Sequence, residues 1–196
     1  PLAFNFLRTP REPWLSLTER PGFLRMRLRP VQLGERANPV FLGRRQQHMT
    51  FTVTTELSFS PNRNGQSAGI ALVQSDDWHL RLAVIREDGA LVIKLFQVQA
   101  GETTVLAEAE LLQAHEVEAG VPGLVLRVEA EEQNLRFLCG LDETALLVLI
   151  EDVDARMLST DRAGGFVGTY VGLFASGENP DGQAVADFDS FTYEGC

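Results

Sequence analysis

Acid–base residues come first, because β-rich proteins that cut glycans do so with two carboxylates flanking the scissile bond. When these share one strand they follow a Glu-x-Asp-x-x-Glu spacing, which lets alternate side chains enter one cleft. The nearest match in this 196-residue chain is the run from Glu151 to Arg156, EDVDAR, and it ends on an arginine. A second acidic run, Glu129 to Gln133, reads as a hairpin tip. The three histidines, His48, His79 and His115, come with no nucleophile elbow, so a hydrolytic triad is not indicated. No residue of the chain is assigned a catalytic role. Asp187 and Asp189, in ADFDSF, are two apart on an expected strand and would share a face. They are the weak candidates for a structural calcium, against a solvated or arginine-paired strand end, and no cofactor is otherwise expected. No Cys/His spacing points to zinc.

The binding candidates are polar or aromatic. Arg44-Arg45-Gln46-Gln47-His48 is wholly polar and runs directly into the strand-like MTFTVTTELSF, Met49 to Phe59. Arg44, Gln46 and His48 share parity with Thr50, Thr52 and Thr54, which predicts one continuous polar strand face. Arg45 and Gln47 would then lie over the rim. The stretch is either a solvated face or a polar interface with another domain, where forked guanidinium and amide donors satisfy carbonyls and carboxylates. Sugar stacking needs amphipathic aromatics, of which the chain has Trp14, Trp78, Tyr170 and Tyr193. Trp14 and Trp78 are the stacking candidates, with plain core packing as the alternative. In DRAGGFVGTYVG, Gly164 and Gly165 permit a sharp bend that would push Phe166 outward; otherwise Phe166 turns back to plug a core.

Strands must position all of these. FLRMRLRPV alternates Leu24, Met26 and Leu28 against Arg25, Arg27 and Arg29, and MTFTVTTELSF alternates Phe51 and Val53 against threonines. SAGIALVQ and HLRLAVIRE are separated by the turn-like SDDW, and Asp88-Gly89 marks a hairpin before ALVIKLFQV. TTVLAEAELL has helix propensity but sits within a meander and is read as a strand. GLVLRVEAEEQNLRFLCGL is a hairpin turning near Glu132-Gln133-Asn134, and TYVGLFAS and AVADFDSFTYEG are joined by GENPDGQ. The one helix expected is short, around DARMLST, Asp154 to Thr160. Many short strands with turn residues between them predict an all-β antiparallel sandwich forming a single domain over 1–196.

A chain of this length buries a sufficient core without staples. Its formal net charge of −10 argues against nucleic acid and against an anionic membrane surface. No stretch is apolar enough to span a bilayer. Of the two cysteines, Cys139 lies in an apolar run and reads as a buried free thiol, whereas Cys196 ends the chain, where a disulfide is not favoured. The start, PLAFNFLRTPREPW, has no initiator Met or signal peptide and reads as part of something longer. The absence of Asn-x-Ser/Thr sequons fits a cytoplasmic origin.

The pieces LTERPGFLR, RRQQH, SAGIALVQSDDWHLRLAV, GGFVGTYVG and ADFDSF occur in an order that resembles the C-terminal concanavalin A-like sandwich of family 43 glycoside hydrolases, the β-xylosidases and α-L-arabinofuranosidases. The resemblance covers essentially the whole chain. It implies a jelly-roll sandwich whose partner is a catalytic five-bladed propeller in the same parent protein, an inverting enzyme acting on xylo-oligosaccharides or arabinosides. By the same resemblance the sandwich packs on the propeller through a surface to which Arg44, Arg45, Gln46, Gln47 and His48 are assigned. A loop aromatic lines the substrate pocket, which assigns Phe166 first and Tyr170 second, and the sandwich also serves homo-oligomerisation. The second aromatic of the family's loop pattern is Tyr170 here. Other readings of the chain remain: an independent carbohydrate-binding module, a purely structural or oligomerisation sandwich, or a sandwich with its own catalysis.

Overall fold

The computed structural model describes residues 3–112 and 121–196; His115 lies outside the described residues. Alternating apolar and polar residues resolve into two seven-stranded antiparallel sheets. The first sheet contains β1 (Phe4–Asn5), β4 (Val40–Arg45), β6 (Ser67–Ser75), β7 (Trp78–Glu87), β8 (Ala90–Gln99), β9 (Glu102–Leu112) and β13 (Tyr170–Ser176). Its order is β1-β4-β13-β6-β7-β8-β9. The second contains β2 (Leu15–Ser16), β3 (Leu24–Arg27), β5 (Phe51–Phe59), β10 (Val121–Glu131), β11 (Asn134–Gly140), β12 (Leu147–Asp154) and β14 (Val185–Gly195). Its order is β12-β11-β10-β5-β14-β3-β2.

The main core fills the space between the sheets. Ile70, Leu72, Leu80, Leu82, Ile93 and Leu95 from one side meet Val53, Leu57, Leu126, Val128, Phe137 and Phe188 from the other. Period-two alternation sends the intervening residues of the first sheet to its outer face, where Phe41, Ala71, Val73, Ala83 and Phe174 form a second, smaller core. Leu33 and Leu7, from the segments that precede β4 and follow β1, cover it. An ion pair between Arg8 and Asp76 (2.6 Å) and a bond from Arg81 Nη1 to Gln32 Oε1 (2.8 Å) hold those segments down.

The hairpins follow the local signals. Asp88 and Gly89 both take positive φ, as does the Ala100-Gly101 pair that joins β8 to β9, the backbone that a tight antiparallel turn demands. TTVLAEAELL is a strand, pairing along β8. The expected helix is split: a 3₁₀ turn over Ala155–Leu158 is followed by α1 (Thr160–Ala163), with Asp154 capping the former. A further 3₁₀ turn, Glu143–Ala145, was not expected; Asp142 caps it through the Thr144 N–H (2.7 Å). Cys139 is buried and its thiol is pushed up by that burial; Cys196 is exposed, and both are free. Among the described residues, no helix is long and apolar enough to cross a membrane.

Candidate functional site

The polar stretch does not continue β5. Arg44 and Arg45 end β4 in the first sheet, paired with Val171 and Tyr170, and residues 46–50 carry the chain across to β5 in the second sheet. The expectation of one polar strand face shared by Arg44, Gln46, His48 and the threonines is therefore corrected. Parity carries across a run only while it remains one strand. The burial also inverts: Arg45 and Gln47 are exposed, whereas Arg44, Gln46 and His48 are half-buried.

Tyr193, on β14, is the hub that holds this crossing. Its ring stacks on Phe51 at 5.3 Å, and the Arg44 guanidinium lies 4.3 Å above its centroid. Its hydroxyl oxygen accepts from the backbone N–H groups of Gln47 (3.1 Å) and His48 (3.2 Å), and lies 3.3 Å from His48 Nδ1. Arg44 Nη2 donates to Gln47 Oε1, Gln46 Nε2 to the His48 carbonyl, and the Gln46 N–H to the Thr169 carbonyl. A Cβ at Gly195 would fall 2.0 Å from His48 Nδ1, so only glycine lets β14 pass this close. The sequence pattern did not single out Tyr193; the signal present was an amphipathic aromatic on the last strand.

Beside the crossing lies the loop from Gly164 to Thr169. α1 closes with the Gly164 N–H on the Thr160 carbonyl, and Gly164 and Gly165 both adopt positive φ (73° and 75°). Two left-handed residues in succession turn the chain outward at no Cβ cost. Phe166 is left fully exposed and Val167 about half exposed (49%). The loop is nonetheless anchored on both sides of its tip. Gln74 Nε2 donates to the Gly164 carbonyl (2.8 Å), and the buried Thr169 reaches the Leu158 carbonyl (3.3 Å). Tyr170, the next residue, opens β13 half-buried against the second core, with the Arg45 guanidinium 5.4 Å from its ring centroid. The loop and the crossing thus meet at one end of the sandwich. Between them is a cavity of about 380 Å³, with Phe51, Leu72, Leu135 and Leu158 among its walls and His48 and Met49 at the crossing side. Met49 is a third exposed apolar residue here, after Phe166 and Val167.

The other candidates fall elsewhere. Trp14 is buried in the main core, with Phe6 edge-on at 5.3 Å, and Trp78 is half-buried against the same core. Stacking a sugar on Trp14 is excluded by its burial, and the core claims most of Trp78. Asp187 is buried, with Arg25 Nε on Oδ1 (2.7 Å) and Arg25 Nη2 (2.8 Å) and Arg20 Nη1 (2.9 Å) on Oδ2. Burial pushes its carboxyl up, but the arginine bonds outweigh this and hold it below the usual range. Asp189 is exposed beyond it, at a break in register between Phe188 and Phe191, so the two carboxylates do not share one strand face. Among the described residues no cluster of three metal-ligating side chains occurs.

A family description, "Beta xylosidase C-terminal Concanavalin A-like domain", matches residues 1–194. The chain is 32% identical to a xylosidase/arabinosidase of Butyrivibrio fibrisolvens over 93% of its own length and 34% of that protein's. It is also 32% identical to a putative beta-xylosidase of Escherichia coli, covering 96% of this chain and 35% of that one. The fold superposes on the GH43 BlXynB protein from Bacillus licheniformis with a TM-score of 0.87 at 29% identity, covering 100% of this chain and 37% of that one. The chain spans about a third of the length of the relatives it matches. Sandwich architecture, whole-length match and shared identity agree, and the chain belongs to the family of β-xylosidase C-terminal concanavalin A-like domains.

Proposed function

We propose that this chain is the non-catalytic sandwich of a longer family 43 glycosidase, that it packs on a catalytic propeller of the same polypeptide, and that it helps close the pocket where xylo-oligosaccharides or arabinosides are hydrolysed. The observation that carries this reading is Phe166: a fully exposed phenylalanine on a loop anchored either side of its tip. An apolar ring held in water is unfavourable, and clamping it there makes sense when a partner covers it. In the closed pocket the ring supplies an apolar wall and excludes water beside the bound saccharide; it cannot move a proton. Arg45 and Gln47, exposed at the same end, are the members of the polar stretch left for contact with the propeller. Arg44 and His48 support that surface from below through Tyr193, and Gln46 through the His48 carbonyl. The main competing role, an independent carbohydrate-binding module, loses Trp14 as a platform because its ring is in the core.

The test is Phe166→Ala in the longer enzyme. kcat/KM for disaccharides should fall about tenfold, as for the loss of one apolar contact of about 1–2 kcal/mol. The melting temperature of the sandwich should barely move. Unchanged kinetics in a destabilised domain would show Phe166 to be packing, and the reading would fail.

A further inference from the structure

On the other side of the Phe166 loop, on the outer face of the first sheet, lies a cavity of about 330 Å³ that none of the roles above uses. That volume is at the small end of ligand pockets, which run from about 300 to 1,000 Å³. Its apolar walls include Phe6 (40% exposed), Tyr170 and Val167, the residue after Phe166. Its polar groups are Arg8, Asp76 and Gln74. Gln74 is 6% exposed; its amide nitrogen holds Gly164, and its Oε1 has no hydrogen-bond partner among the described residues. That oxygen is closed to solvent, so the polar groups open to a ligand are those of Arg8 and Asp76. Asp76 is paired through Oδ2 with Arg8, whose other terminal nitrogen reaches the Ala37 carbonyl.

We infer that this pocket is a saccharide subsite, taking one neutral sugar unit of a substrate chain that extends past Phe166; its place in catalysis rests on the function proposed above. The chemistry selects a hydroxylated, uncharged ring. A hydroxyl both donates and accepts, so it can donate to the Asp76 carboxylate while accepting from Arg8. The C–H faces of a sugar ring pack on Phe6, Tyr170 and Val167. The Arg8–Asp76 pair carries no net charge, so an anionic ligand gains little by entering.

The pocket is built wholly from this chain, so the test needs only the chain itself. Xylobiose is titrated into ¹⁵N-labelled protein, with arabinobiose and sodium glucuronate in parallel. Saturable shifts are expected at the Gln74 side-chain amide and the backbone amides of Val167 and Tyr170. Asp76→Asn and Phe6→Ala should each weaken xylobiose binding about five- to tenfold, as for one lost hydrogen bond or apolar contact. Phe6→Ala alters an exposed ring and keeps the test valid if Asp76→Asn loosens the Arg8 contact. No saturable shift with either disaccharide, equal affinity in both variants, or tighter binding of glucuronate would overturn the subsite. The Phe166 kinetics use the longer enzyme and read a different residue, so the two readings fail separately.

Discussion

Two neighbouring segments at one end of the sandwich reverse what their compositions lead one to expect. Residues 44–48 are wholly polar, yet three of the five are half-buried and the segment is bonded inward onto Tyr193. Residues 164–168 carry a phenylalanine and a valine, yet both side chains face water. The difference lies in what the backbone requires. A crossing between sheets leaves ladder N–H groups without strand partners, and polar side chains and a tyrosine hydroxyl supply substitutes. The loop is fixed at its first residue, where Gln74 bonds the Gly164 carbonyl and α1 takes its N–H, and its side chains point outward toward an external partner. Side-chain polarity near the sheet ends therefore reports where the backbone needs partners, and exposure must be read separately.

The strongest way to break this contrast is Tyr193→Ala. It removes the ring stacked on Phe51, the surface under Arg44 and the acceptor of two backbone bonds. A loss of about 3–4 kcal/mol is expected in urea unfolding, in the range of large aromatic deletions. A loss under about 1 kcal/mol would mean that the crossing holds itself.

A polar but buried group elsewhere gives a pH-dependent version of the same contrast. Burial, with the charge of Arg81 adding to it, lowers His79 to about 4 from its ordinary 6.5. Because the unfolded chain takes up a proton that the folded one refuses, the contribution of His79 is whole above pH 6.5. It shrinks as pH falls and is gone below about 4, a swing of roughly 3 kcal/mol. Unfolding free energies between pH 7 and 4 should show this slope, and His79→Leu should flatten it. An unchanged slope in that variant would assign the pH dependence to the carboxylates.

The smallest expected effect on stability is at the exposed side of the contrast. Arg45→Ala should shift the stability of this chain by no more than about 0.5 kcal/mol, as surface changes do. In the longer enzyme it should weaken docking measurably, read as easier proteolytic separation of the two domains. A large stability loss in the chain with docking unaffected would make Arg45 an internal tether.

Much of this was legible along the chain. Alternation located most of the strands, Asp88-Gly89 marked its hairpin, and the ordered motifs identified the family, because each depends on residues close together in sequence. Gly164-Gly165 likewise announced the bend at Phe166. Tertiary structure decided the rest. It set β4 and β5 in different sheets, which turned a single polar face into a crossing. It closed the core over Trp14 and broke the register between Asp187 and Asp189. It also brought β14 under the crossing, so that Tyr193 became its anchor. Periodicity tells which way a side chain points within one strand; which sheet that strand joins, and what then lies opposite, is settled by pairing between residues far apart in the chain.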